Sequence, residues 1–371
     1  MLVDLSSLEP LLGIEAWFND KRPRALILRP LGFLVLEEPS IRSCNAMLYA
    51  LTKANIDTLH AIQNLTHVIG KSSYAGLKDA DGITTQFIAA RQWGQYAYSR
   101  AGFRSYTLAC TNTRGCIKIG DVKFNHFSIT LALLDGEAET RTTSIAPNYY
   151  GFQRFGTRRP NTHYTGLSLA RGDLGRYFAE LIYTKYPRET SRRGDYERLA
   201  LKLLRATRST IRALKHLPPK VLELHVNALQ SYLFNRILSR LVTEYSTRVC
   251  TTYPRIPVPG CGLSKYLDAL DEDVKRVYRE VMGTEGVEES YFCTLRRYGI
   301  HASSYMRESC IEPAMHFSLR LKVEEYEDVE IAIHVFSLKR GEYATTFLAN
   351  MYRLFEPEPY FLAGQFGQNP L

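Results

Sequence analysis

Tyr74-Ala75-Gly76-Leu77-Lys78-Asp79-Ala80-Asp81-Gly82-Ile83-Thr84-Thr85-Gln86 is the stretch from which the rest of the chain is best read. Gly76 permits a tight backbone conformation just before the Lys78-Asp79 pair. Asp81-Gly82 is a second turn signal, and Ile83 to Ile88 has the composition of a strand. Upstream, Ile56, Leu59, Ile62 and Leu65 recur at helical spacing within Asn55 to Ile69. One carboxylate, Asp79, is therefore expected on a loop braced by a helix and a strand, where catalytic groups tend to be held. On pattern alone, a Lys-Asp pair beside a turn is more often solvated surface.

Outward from this loop, the first 150 residues alternate short strands and helices. Phe33 to Glu37 reads as a strand, and Phe124 to Leu134 alternates as a strand inside a sheet. From about residue 165 to 310 the pattern is helical, over Leu174 to Tyr186, Tyr196 to Leu217 and Leu222 to Thr243, with Pro218-Pro219 as a break. Strand patterning returns at Phe317 to Val323 and Val329 to Phe336. The order β-rich, α-rich, β-rich predicts an α/β (α+β) chain in which a helical domain is inserted into a sheet domain. The expected division is 1–155 and 311–371 for the sheet domain and 156–310 for the insertion.

The length of 371 residues is enough for two or three domains, and 45% hydrophobic with 12% aromatic residues is a folded composition. Net charge is +9 and the isoelectric point about 9.1, which favours a polyanionic partner. Eleven Lys/Arg against three acids lie between Lys185 and Lys220, nearly the whole excess. Arg198, Lys202, Arg205 and Arg212 fall on one side of the predicted helix, where they face either water or a phosphate backbone. Seven scattered cysteines without a C-x-x-C pair predict free, mostly packed thiols in a reducing cytoplasm. No Cys/His cluster suggests a metal site, and no apolar run or basic leader suggests a membrane span or signal peptide.

A-G-x-K-D followed by T-x-Q resembles the active-site signature of the TruD family of tRNA pseudouridine synthases. Further blocks resemble that family in the same order. They are Gly32 to Glu37, Asn125-His126-Phe127, Pro147 to Gly156 (P-N-Y-Y-G-F-Q-R-F-G), Ala228 to Asn235 (A-L-Q-S-Y-L-F-N) and Gly341 to Thr345 (G-E-Y-A-T). The resemblance implies a mixed, largely antiparallel catalytic sheet with a family-specific helical insertion. It also implies conversion of uridine to pseudouridine in RNA without a cofactor, with tRNA as substrate and the D-arm uridine at position 13 as the default target.

By the same resemblance Asp79 is the nucleophile or electrostatic catalyst, kept ionised with help from Lys78. A carboxylate of this kind stabilises or traps the sugar cation as the glycosidic bond breaks. Phe127 is implied to stack on the flipped base and Asn125 to position the loop or base, whereas pattern alone makes them a core aromatic and an edge residue. Gln153, Arg154 and Phe155 are implied to line the same cleft, Arg154 being either a phosphate contact or a structural tie. The Ala228 to Asn235 helix reads as packing rather than chemistry.

Departures mark a divergent member. Ile27 stands where the family carries a lysine, and Arg29, Lys21 and Arg24 are the candidates to replace its charge. Gly32 replaces an aspartate, Ala80-Asp81-Gly82 a basic pair and alanine, Lys339 a proline, and Ala349-Asn350 an Arg-Glu. The competing expectation is a non-catalytic RNA-binding or RNA-chaperone protein on the same fold. A monomer is the default expectation for assembly.

Overall fold

The computed structural model describes residues 2–18, 21–78, 80–92, 96–101, 104–135, 144–156, 159–184, 194–323 and 329–357. Twelve strands form one large mixed sheet. Nine of them come from the first part of the chain: β1 (Leu2–Asp4), β2 (Arg24–Ile27), β3 (Phe33–Pro39), β4 (Arg42–Ala54), β5 (Ser72–Tyr74), β6 (Ile83–Ala90), β7 (Tyr96–Ala101), β8 (Arg104–Cys116) and β9 (Val122–Leu133). Two short pairs stand apart, β10 (Ala146–Pro147) with β13 (Cys310–Ile311) and β11 (Arg255–Val258) with β12 (Tyr305–Glu308). The end of the chain returns β14 (Met315–Val323), β15 (Val329–Lys339) and β16 (Arg353–Pro357) to the large sheet.

Its order is β1-β16-β2-β9-β3-β6-β4-β8-β7, with β15 on the other side of β9, β14 outside β15, and β5 beside β6. Most pairs are antiparallel, but β3 runs parallel to β6 and β16 parallel to β2. The parallel β3–β6 pair sets the signature loop next to β3, because β6 starts where that loop ends.

Helix α1 (Thr58–Ile69) is capped by Asp57, whose side chain accepts the His60 N–H, and it buries Ala61, Leu65 and Ile69 against the sheet. The helical region contains α2 (Thr162–Arg171), α3 (Leu174–Ile182), α4 (Asp195–Thr207), α5 (Thr210–His216) and α6 (Pro219–Tyr245). Helix α6 is buried on nearly all sides from Ala228 to Ser239, and that stretch mixes apolar residues with the buried polar Gln230, Ser231, Asn235 and Ser239. Its Asn235 accepts the Tyr150 N–H at 2.8 Å and donates to the Leu12 and Tyr150 carbonyls at 2.9 and 3.2 Å.

Two expectations are corrected here. The single helix expected over Tyr196 to Leu217 is two, because Arg208 adopts a left-handed φ of 48° and ends α4. Arg212 therefore lies on a different helix from Arg198, Lys202 and Arg205, while residues 185–193 of the basic segment lie outside the described residues.

The cysteines are also not free. Cys44–Cys116, Cys250–Cys310 and Cys261–Cys293 are disulfides with Cα separations of 5.6, 5.5 and 4.8 Å, leaving Cys110 as a thiol. Partners 72, 60 and 32 residues apart meet only through tertiary structure, which no local spacing announces. On the loop-entropy account, closures of this length contribute on the order of 4 kcal/mol each. No described helix is long and apolar enough to cross a membrane.

Candidate active site

Strand alternation decides which side chains face the helices. On β3, Phe33, Val35 and Glu37 turn inward and are buried, while Leu34 and Leu36 turn outward. On β9 the inward positions include Asn125 and Phe127, and on β6 they include Thr84, Gln86 and Ile88.

The signature loop is held from three sides. Thr58, at the first turn of α1, accepts the Lys78 N–H at 2.9 Å and donates to the Gln86 Oε1 at 2.7 Å. Gln86 is fully buried and returns its Nε2 to the Gly76 carbonyl at 3.1 Å. Lys53 on β4 is also buried and donates to the Lys78 carbonyl at 3.1 Å. The T-x-Q that follows the K-D pair thus acts through its glutamine, which splints the loop from beneath. Close packing requires glycine at Gly82, where a Cβ would meet the Phe33 carbonyl oxygen at 2.7 Å. At Gly76 a Cβ would meet the Lys78 ammonium at 3.6 Å, an ordinary contact, so the steric need falls on the second glycine of the loop.

The Lys78 ammonium forms an ion pair with the carboxylate of Glu37, and both side chains are largely or wholly buried. Asp79 itself lies outside the described residues. Its neighbour Lys78 lines a cleft of about 140 Å³ together with Phe33, Val35, Asn125, Phe127, Gln153 and Glu342. A cavity of about 150 Å³ admits a six-membered ring.

Phe127 stacks one face on Phe336, with centroids 5.3 Å apart and planes 22° apart, and is half-buried. Asn125 Oδ1 is buried and finds no hydrogen-bond partner among the described residues. A buried amide oxygen in that state is open to a donor from outside the protein. Gly151 is needed for the cleft wall, since a Cβ there would come within 2.9 Å of the Tyr343 ring.

Two cleft features were not read from sequence. Lys53 occupies an inward strand position that alternation predicts for an apolar residue. Glu342 stands in the G-E-Y-A-T block where the resemblance expects serine, and its carboxylate accepts the Lys339 N–H at 2.7 Å. Burial pushes its pKa from 4.5 up to about 7, outweighing the Lys339 bond and charge that pull it down.

The remaining expected site residues separate. Gln153 is exposed and lines both the cleft and a smaller neighbouring cavity of about 60 Å³. Arg29 lines that second cavity. Its guanidinium pairs with Glu356 at 2.9 Å, lies 3.8 Å over the Phe33 ring, and donates to the Asp81 carbonyl at 3.0 Å. It grips the far side of the signature loop. Ile27, in place of the family's lysine, is fully buried in the core. Arg154 is half-buried, 5.6 Å over the Tyr150 ring. Phe155 is completely buried edge-on to His163, so it offers no surface to a ligand and is a packing residue. The Ala228 to Asn235 segment lies buried within α6, in keeping with packing.

Comparison with known proteins bears on the fold and the family of the chain. The family model described as tRNA pseudouridine synthase D (TruD) matches residues 28–195 and 183–251. A Pyrobaculum aerophilum protein named a probable tRNA pseudouridine synthase D is 27% identical over 427 aligned positions, covering 97% of this chain and all of its own. A Saccharolobus solfataricus protein of the same name is 29% identical, covering 92% of this chain and 96% of its own. The crystal structure of a Methanosarcina mazei protein described as a candidate tRNA pseudouridine synthase D superposes with a TM-score of 0.68 at 18% identity, covering 94% of this chain and 98% of its own. With one fold along nearly its whole length and the family model matching more than half of it, the chain belongs to the TruD family of tRNA pseudouridine synthases.

Proposed function

We propose that the chain isomerises a uridine of tRNA to pseudouridine in the cleft between β3, β9 and the signature loop. The observation that carries this reading is the convergence of Phe127, Asn125 and Lys78 on one ring-sized cleft. A uridine flipped out of the RNA would place its base against Phe127, which lines the cleft. Asn125 would offer its unpartnered amide oxygen to the base or to the loop. Asp79 acts on C1′ as the N1 glycosidic bond breaks. The base then turns over, bonds to C1′ through C5, loses the C5 hydrogen and gains one at N1.

Lys53 keeps a positive charge against the Lys78 carbonyl, Glu37 neutralises and anchors the Lys78 ammonium, and Arg29 fixes the loop through Asp81. A cation beside a carboxylate favours its ionised form. Arg29 is thus a positioning residue rather than a substitute for the family's lysine in contact with substrate. The uridine at position 13 of the D-arm, the family's default, is the target we propose.

The test uses a tRNA transcript tritiated at C5 of uridine. The wild type releases tritium, and Asp79→Asn binds the transcript with unchanged affinity but releases none. Carbodiimide mapping then places the product at position 13. Tight binding without release from the wild type, on tRNA and on total cellular RNA alike, would overturn catalysis and leave an RNA-binding protein.

A further inference from the structure

On the reading proposed above, a proton must leave C5 of the uracil while Asp79 is engaged at C1′. Some other group has to take it. Apart from apolar and hydroxyl-bearing side chains, the described residues that line the cleft are Lys78, Asn125, Gln153 and Glu342. The Lys78 ammonium is paired with Glu37, and the amides of Asn125 and Gln153 do not act as bases near neutrality. Tyr343 turns its ring to Gly151 and, edge-on at 6.2 Å, to Tyr150. Glu342 is the one carboxylate among these described residues.

Its place in the fold holds it still. Strand β15 ends at Lys339, one residue after Leu338 pairs with Asn125 of β9, and Gly341 turns the chain with a left-handed φ of 87°. Glu342 closes that turn, its Oε2 accepting the Lys339 N–H at 2.7 Å. Arg307 of β12 pins the turn from another side by donating to the Gly341 carbonyl at 3.0 Å. The second carboxylate oxygen, Oε1, has no hydrogen-bond partner among the described residues. The charges around it are Lys339, which pairs with Glu308 of β12 at 3.5 Å, Arg307 of the same strand, and Lys78 with Glu37 at the cleft's loop side. Opposite signs largely offset one another there, and burial raises the carboxyl to about 7. A group of that strength both takes and returns a proton near neutrality.

We propose that Glu342 is the base that removes the C5 hydrogen once the new carbon–carbon bond has formed, and the acid that then returns a proton to N1. When C5 attacks C1′, it carries both its hydrogen and the sugar, and N1 is left as an imine nitrogen. The Glu342 carboxylate accepts the C5 hydrogen as a proton. The electrons of that C–H bond restore the C5–C6 double bond, and negative charge passes to N1. The carboxylic acid so formed gives its proton to N1. One C–H bond breaks and one N–H bond forms, with no oxidant, reductant or co-reactant required.

Single-turnover reactions of the full chain on tRNA transcripts with hydrogen or deuterium at C5 of uridine test the proposal, with product measured by carbodiimide mapping. Glu342→Gln keeps the bond to the Lys339 N–H through its amide oxygen but takes no proton. It is expected to form pseudouridine roughly 10²- to 10⁴-fold more slowly, with transcript affinity unchanged. Its C5 isotope effect should exceed that of the wild type, because C5–H cleavage has become the slow step. The wild type supplies a reading that needs no variant. Its isotope effect grows as pH falls below about 7, where the carboxyl is protonated, and Glu342→Gln shows no such growth. A variant that reacts at the wild-type rate overturns the proposal, as does a slow variant without a larger isotope effect, or a wild-type isotope effect indifferent to pH. Any of these leaves Glu342 as a splint of the β15 turn. A wild type that forms no pseudouridine on tRNA or on total cellular RNA fails earlier, and overturns the reading of the cleft itself.

Discussion

The inward face of β3 buries Glu37 while the outward face of the same strand exposes Leu34 and Leu36. The neighbouring strands repeat the contrast, with Lys53, Thr84 and Gln86 buried on the cleft side and Phe317 and Leu319 bare on the other. Burying charge in a low-dielectric interior is costly unless it is paired, and exposing leucine forfeits about 25 cal/mol per Å². Both expenses fall on a single sheet. The cleft side carries polar groups because a loop must be gripped there by its backbone, and the outer side leaves short apolar rows bare on β3 and β14. In this sheet a residue's direction is set by what its face must hold.

The sharpest way to break the contrast is to remove one charge from beneath the loop. Glu37→Gln leaves the buried Lys78 ammonium without its counter-charge. We expect a loss of about 3–5 kcal/mol in urea unfolding, together with a fall in tritium release. Thr58→Val keeps the shape but deletes the bonds to Lys78 and Gln86, and it is expected to cost about 2 kcal/mol. Its signature is a drop in kcat larger than the rise in KM, since the loop rather than the RNA surface is loosened.

Glu342→Gln gives an effect that depends on pH with a defined sign. A carboxyl raised from 4.5 to about 7 in the folded state stabilises fully below pH 4.5, and that contribution is lost as pH climbs through 7. The wild type should therefore lose stability relative to the glutamine variant over that window, by up to about 3 kcal/mol, in urea titrations at successive pH values. An equal pH dependence in both proteins would remove Glu342 as the titrating group. The smallest effect belongs to the outer face, where Leu34→Thr should leave stability and cleft activity within about 0.5 kcal/mol of the wild type.

Much of this was legible in the sequence, and the limits have physical causes. Strand β3, helix α1, strand β9 and the β14–β15 hairpin follow from periodicity, because each element's burial repeats at its own period. The signature loop was found through its residues, yet the reason for Gln86 was not, since its partner Thr58 is 28 residues away and joins it only across packed elements. The break at Arg208 escaped notice because arginine gives no turn signal, and its left-handed φ is set by the chain around it. Lys53 gave no signal in the sequence, because its buried place on β4 is set by strand pairing and the packed helix rather than by any local pattern. The disulfides stayed hidden for the same reason, their partners being brought together by the fold rather than by spacing.

Asn235 has a bearing on descent as well as on stability. One amide on α6 satisfies the backbone of Leu12 near the start of the chain and of Tyr150 just before the helices begin. The helical region is thus tied to the rest of the chain by side-chain-to-backbone bonds, and the backbone groups of Leu12 and Tyr150 find their partner only on α6. A chimera that exchanges residues 162–294 between relatives while leaving the flanks untouched brings a new α6 to an old Leu12 and Tyr150. Inheritance of this fold is therefore expected to proceed as a whole, with the helical region and the sheet drifting in step.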